Sequence, residues 1–447
     1  MILRSWEKLE FGREAGGRGT RPGRARVGAL AGMLVGMWLI MAPHGVQGQD
    51  GSPLPTLSDL GLGYRSEGGL VELSLSGRLD LEAYMPGSEP PWLIPDTDPF
   101  ATGRLRLFTD LFVGEAWYLT AEFRADGGEA PRKGHLEARV EQFFLRWTPG
   151  AVPVALQVGR FASPFGSYPT RHHSVADPFI RPPLHYEFRT MVSGRELPGN
   201  STQFIQWKAA ELAPHFRPIG APPIWGAPYQ WGAMAMGAVG RLNYRAAVLN
   251  SAPSSEPEAW GWSANPMDAP SFVAAVGWRF LPSLRVEAWM NRGPYLEKDP
   301  LGTLPGDAKV SDYNQILRGG EVTYQRGYTT LRAEVVHDVW EVPNVSEDVV
   351  DISYSLEAHR KLGASWFVAG RFGAMEFNEF PFQGIQYDGT FVEGRDRWDD
   401  PVRRLQLSGG WKAYRNVEVR AEYAWNWATG PVDPMGDLFS TQMSWAF

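Results

Sequence analysis

The sequence predicts an all-β fold, a transmembrane antiparallel up-and-down β-barrel of about 16 strands, with about 18 as the other count that parity allows. Three observations predict it. Segments of about ten residues alternate apolar and polar side chains, the period of a strand with two different faces. Short connections between these segments alternate with long ones. Finally, 19 Trp, 23 Phe and 15 Tyr accompany no apolar run of membrane-helix length after residue 48, a composition that suits aromatic girdles around a barrel.

Residues 1–48 read as an export signal. Arg4, Lys8, Arg13, Arg18, Arg21, Arg24 and Arg26 precede an apolar run over 27–42, and small residues follow at Val46-Gln47-Gly48, the layout of a cleaved secretory signal. The run is shorter than the roughly 20 residues a spanning helix needs. Cleavage after Gly48 leaves 49–447 as the barrel. Residues 1–48 hold seven of the 43 Lys/Arg and three of the 50 Asp/Glu, so the remainder carries 36 basic and 47 acidic residues, a net of −11 against −7 for the whole. That balance excludes a nucleic-acid binder, whose footprint is basic. With no Cys, a disulfide framework and a thiolate metal site are excluded as well.

After a turn-rich stretch to Gly69, Val71, Leu73, Leu75, Leu79, Leu81 and Ala83 share one face, and Glu72, Ser74, Ser76, Arg78, Asp80 and Glu82 share the other. Charges at every second position cannot line a packed core, so this face is expected in a wet lumen. Strands follow near 103–113 and 115–125, 136–148 and 152–161, 230–240 and 242–250, 270–280 and 283–292, 315–326 and 328–340, 349–360 and 364–377, and 402–413 and 416–428, each pair joined by a tight turn. Long links at 85–102, 126–135, 251–269, 293–314, 341–348, 378–401 and 429–436 separate the pairs. Brief turns on one side and longer loops on the other are the layout of outer-membrane barrels. Segments 186–194 and 202–209 are the candidates for two further strands.

Ile352, Tyr354, Leu356 and Ala358 oppose Asp351, Ser353, Ser355 and Glu357; Val419, Ala421, Tyr423, Trp425 and Trp427 oppose Glu418, Arg420 and Glu422. The apolar sets are expected against lipid and the charged sets in the lumen. A cation at Leu356 should therefore be rejected and Glu357→Arg tolerated.

The final strand places Phe439, Thr441, Met443, Trp445 and Phe447 on one face. Its closing Trp445 and Phe447 resemble the C-terminal strand of bacterial outer-membrane barrels, where a final Phe is read by the assembly machinery. The resemblance implies insertion into outer-membrane lipid by that machinery.

Residues 158–187, VGRFASPFGSYPTRHHSVADPFIRPPLHYE, break the alternation. Five Pro stiffen them, and Arg160, Arg171, His172, His173, Arg181 and His185 are candidates for a selectivity constriction formed by a loop over 161–200. A solvated external loop is the alternative. If these side chains hang into a channel, acidification from about pH 7.5 to 5.5 is expected to charge the His and raise anion preference. Gly159-Arg160-Phe161 followed by Pro164-Phe165-Gly166 resembles the strand-to-loop passage of the phosphate-selective porin family, and Tyr244-Arg245-Ala246-Ala247-Val248-Leu249-Asn250 resembles a later strand of that family. The resemblance implies a porin of about 16 strands whose long loops narrow the channel, with trimers common among such porins. That family's phosphate selectivity rests on lumenal Arg and Lys ladders, whereas the inner faces here mix Glu72, Asp80, Glu82, Glu122, Glu357, Glu418 and Glu422 with Arg.

No metal site is expected: adjacent His172 and His173 point apart on a strand, and no third ligand accompanies them. Asp396, Asp399 and Asp400 lack the spacing of a calcium loop, and no nucleophile elbow is present. The expected function is passive diffusion of small hydrophilic solutes or ions, without catalysis or cofactor. Two alternatives remain: a sleeve holding a partner such as a multihaem cytochrome across the membrane, and a secreted carbohydrate-active enzyme. The enzyme needs a convergent acid pair, whereas these acids repeat along strands as a wall does.

Overall fold

Period-two segments pair side by side and close on themselves in the structure, a computed structural model describing residues 62–87, 98–128, 131, 133–208, 220–265, 267–385, 391–429 and 436–447. The proposed export signal lies outside the described residues. The strands are β1 (Tyr64–Arg65), β2 (Val71–Pro86), β3 (Phe100–Val113), β4 (Trp117–Asp126), β5 (Glu137–Trp147), β6 (Val154–Ala162), β7 (Tyr229–Val239), β8 (Leu242–Leu249), β9 (Ser271–Leu281) and β10 (Leu284–Pro294). They continue as β11 (Asn314–Arg326), β12 (Thr329–Trp340), β13 (Val349–Leu362), β14 (Trp366–Phe377), β15 (Glu379–Ile385), β16 (Phe391–Arg397), β17 (Val402–Tyr414), β18 (Val417–Ala428) and β19 (Leu438–Ala446).

The main sheet holds 17 strands, of which β1 is a two-residue cap on β2, so 16 go round the barrel. Every pairing round it is antiparallel. Closure comes from β19 on β2, Leu438 opposite Pro86 through Ala446 opposite Arg78. It is extended by Gly77 N–H donating to Phe447 O at 2.7 Å and Phe447 N–H to Gly77 O at 2.9 Å. A Cβ at residue 77 would lie 2.3 Å from the Phe447 ring, so glycine makes the space for that aromatic. Closure leaves the barrel no edge from which another chain could template.

The count is 16 because the two extra candidates are not strands. Residues 186–194 run as irregular loop, and 202–208 fall in a helix, α1 (Ser201–Lys208). Phe204, Ile205 and Trp207 are buried there, and Phe204 stacks on Phe380 and Trp398. The spacing of three apolar residues over one turn fits a helix face better than a strand face. The hairpin β15–β16 within the 378–401 link was not anticipated. Pro381, which normally demotes a strand, sits inside it.

Faces follow the alternation. Leu356 is 56 % exposed on the outer wall while Glu357 beside it is 5 % exposed in the lumen. Trp117–Trp147 and Trp366–Trp411 stack at 6.0 and 5.7 Å near the short-turn end, where interfacial aromatics anchor a barrel. The buried apolar clusters, by contrast, lie inside. Phe188, Met191, Phe204, Trp340 and Trp398 form one, and Phe161, Phe165, Tyr186, Ile224 and Leu317 another. In both, residues between β6 and β7 pack against the inner wall.

Candidate functional site

The described parts of the connection between β6 and β7, residues 163–208 and 220–228, turn into the barrel instead of away from it. Its base is tied by Ser163 N–H donating to Pro228 O at 2.8 Å. Gly166, at φ +77°, bends the chain where a Cβ would strike the Tyr186 hydroxyl. Tyr186 OH then donates to Glu334 of β12 at 2.8 Å, and Ser167 N–H and Oγ–H donate to the same carboxylate at 3.2 and 3.1 Å. His185, fully buried, sets Nε2 3.6 Å from Glu334.

From this hinge the segment crosses the lumen on polar fastenings. Arg171 donates to Asp177 and to Glu357 of β13, both at 3.1 Å. Arg371 of β14 donates to Asp177 at 3.2 Å, Glu357 at 3.3 Å and Arg181 O at 2.9 Å. Arg420 of β18 donates to Asp177 O, and Ser408 of β17 to Pro178 O at 2.7 Å. Glu422 accepts from Ile180 N–H at 2.6 Å. Arg181 and Arg404 clasp Glu187. Burial alone would raise the Glu187 pKa, but those two guanidiniums hold it below the usual carboxylate range. On the far wall Ser174 donates to Asp80 at 2.9 Å and accepts from Arg78 at 3.4 Å.

The predicted lumenal residues thus acquire specific neighbours. Glu82 accepts from Tyr84 at 2.6 Å, Gln442 at 2.7 Å and Arg104 at 3.0 Å; Asp351 accepts from Ser353 at 3.0 Å; Arg420 also pairs with Glu418 at 2.7 Å. Glu72 is exposed near the short-turn end, at the start of β2. Arg160 does not join them. It stands in phase with outward Leu156 and Val158, opposite Phe143 and Trp231, and its guanidinium donates to the carbonyls of Val140 and Tyr229. The β6 alternation already implies this; the nearness of Arg160 to the loop was the misleading cue.

The mixing of Glu122 with Arg expected on the inner face extends to a basic–acidic lattice on β3–β5, whose Asp126 and Glu141 were not singled out. Arg104 pairs with Asp126 at 2.7 Å, Arg106 with Glu122 at 3.3 Å, Arg124 with Glu141 at 2.6 Å and Arg139 with Glu141 at 2.7 Å. The Arg-Leu-Arg-Leu of β3 was the available signal, since it puts both Arg on one face. Between this lattice and the loop a cavity of about 60 Å³ remains, lined by Arg106, Arg124, Tyr168, His172 and Arg181 among others.

His172 lies at that seam. Its Nδ1 donates to Pro169 O at 2.9 Å, so Nε2 is left as the acceptor facing Tyr229 OH at 2.8 Å and Arg106 at 3.4 Å. Burial, then Arg106, lowers its pKa to about 3. His173, also against Arg106, is held well below the usual range by burial and by His172. These imidazoles stay neutral where free ones would charge, contrary to the expectation that mild acid adds cations at the constriction. The sign runs the other way. An undocked His binds a proton near pH 6.5, so docking has its full strength above about pH 6.5 and loses about 1.4 kcal/mol per His per pH unit below it. Arg78, Arg124, Glu122 and Glu141 on the facing strands set the background field. Lowering the pH from 7.5 to 5.5 is expected to speed protease cleavage within 163–228, and His172→Gln with His173→Gln is expected to remove most of that dependence.

A closed wall, apolar outside and charged inside, decides the fold. The chain is a transmembrane β-barrel. Solved structures share this architecture: the outer membrane channel DcaP of Acinetobacter baumannii matches at a TM-score of 0.53 and 10% identity, over 86% of this chain and 99% of that one. OmpT, an outer membrane protein of Vibrio cholerae, matches at 0.50 and 10% identity over 85% and 98%. Its trimer form matches at 0.50 and 11% over 84% and 99%. At such identities the likeness is one of fold. No protein-family model matches the sequence, and no curated protein matches it.

Proposed function

We propose that the protein is an outer-membrane porin that passes small hydrophilic solutes or ions by diffusion between its wall and the inserted loop. The observation that carries this reading is the lodging of the described residues 163–208 and 220–228 in the lumen, with ion pairs and hydrogen bonds such as Arg171–Glu357 and Ile180–Glu422. Fastened at discrete polar points, the loop narrows the path between itself and the wall. Charge in that path selects among ions. The mixed lattice of β3–β5 favours no single sign in the way an Arg ladder would. The DcaP neighbour is described as a channel, and the trimer form of OmpT supports a homotrimer here. In this reading Trp445 and Phe447 are the signal taken up by the barrel-assembly machinery. A sleeve for a partner is less suited, because the chain's own loop occupies the space such a partner would need. Single-channel conductance in planar bilayers, with the reversal potential in a salt gradient, tests the function: discrete steps are expected, and a protein that inserts with heat-modifiable mobility but never conducts would sink it.

A further inference from the structure

Charge on a lipid-facing wall needs a partner, and on three neighbouring strands of this barrel it has no carboxylate partner among the described residues. On the outer faces of β10, β11 and β12, toward the long-loop end, stand Arg292, Arg318 and His337. Arg318 and His337 oppose each other directly; Met290 opposes Arg318 on the other side, and Arg292 lies two residues beyond Met290, opposite Ile316. Directly opposed side chains have Cβ atoms about 4.5–5.5 Å apart and diagonal ones about 7–8 Å, so the three share one patch. They alternate with the buried lumenal residues Asn291, Leu317 and Val336, which fixes them as outward. Arg292 and Arg318 are exposed and His337 half-buried.

No hydrogen bond or ion pair joins any of the three to a carboxylate among the described residues. Two other outward Arg differ. Arg403 pairs with Glu376, and Arg160 spends its guanidinium on backbone carbonyls. An Arg facing hydrocarbon is strongly unfavourable unless an anion meets it, and a guanidinium recognises a phosphate through two parallel hydrogen bonds. Met290 and Ile352 flank the cations on the same face and offer apolar surface to an acyl chain.

We propose that this sector docks the phosphate of a phosphorylated lipid headgroup in the outer leaflet, held by Arg292 and Arg318 with His337 beside them. The proposal rests on the barrel spanning a membrane with its long loops outward. Its occupant is a lipid rather than a free anion, because the cations sit on the membrane-facing wall among apolar neighbours and not in the lumen.

The test uses the whole mature protein, wild type and Arg292→Gln/Arg318→Gln, purified in detergent and titrated with a doubly phosphorylated glycolipid, its dephosphorylated form and inorganic phosphate, bound lipid being counted by native mass spectrometry. Wild type is expected to retain the phosphorylated lipid at least about tenfold more tightly than the double variant, and to bind the dephosphorylated form no better than the variant does. Equal retention by both proteins would overturn the proposal. So would displacement of the lipid by micromolar phosphate, which would mark a free-anion site. Heat-modifiable mobility and conductance, measured on both proteins, report on the barrel and the channel separately, so failure here is distinct from failure of the porin reading.

Discussion

Replacing Arg371 by Met is expected to free the inserted loop while the barrel stays closed. Arg371 is 1 % exposed and ties Asp177, Glu357 and the Arg181 carbonyl together. Breaking a buried ion pair costs on the order of 3–5 kcal/mol, and the lower end applies where a second cation remains, as Arg171 does here on both acids. The barrel's own hydrogen bonds run through backbone, so the variant should keep its heat-modifiable mobility. Larger single-channel conductance and faster proteolysis within 163–228 are the expected readings. A variant with wild-type conductance and protection would mean that the loop is held by its apolar contacts alone.

The second large effect is at adjacent positions with opposite surroundings. Leu356→Arg puts a cation on the outer wall and should cost about 2–4 kcal/mol near the midplane, read as a lower urea midpoint in lipid vesicles. Glu357→Arg is not the tolerated change that alternation alone suggests. Glu357 accepts from Arg171 at 3.1 Å, Arg332 at 2.7 Å and Arg371 at 3.3 Å, so a fourth guanidinium would face these three across a site left with Asp177, which Arg171 and Arg371 already share. That variant should insert normally and lose the loop's docking, giving raised conductance with an unchanged midpoint in vesicles. Wild-type behaviour of both variants would contradict the register of β13.

The sequence by itself determined the wall. Strict alternation, as in Asp351 to Glu357, states which side chains share a face, because side-chain period in a strand is a local property of the backbone. The order of short turns and long links determined the antiparallel circuit, and parity narrowed the count to two values. What the sequence could not determine is everything that meets across the lumen. Ser174 reaches Asp80 across 94 positions, Arg171 reaches Glu357 across 186, and Ile180 reaches Glu422 across 242. None of these pairings has a period or spacing that marks it, since a Pro-rich irregular segment has no repeat to read. Only the closed tertiary structure decided that Arg171 and Arg181 are neutralised by acids from the loop and the wall. It also decided that His172 and His173 are shut against Arg106 as neutral rings, because burial and a neighbouring cation, both products of chain closure, outweigh the intrinsic basicity of an imidazole.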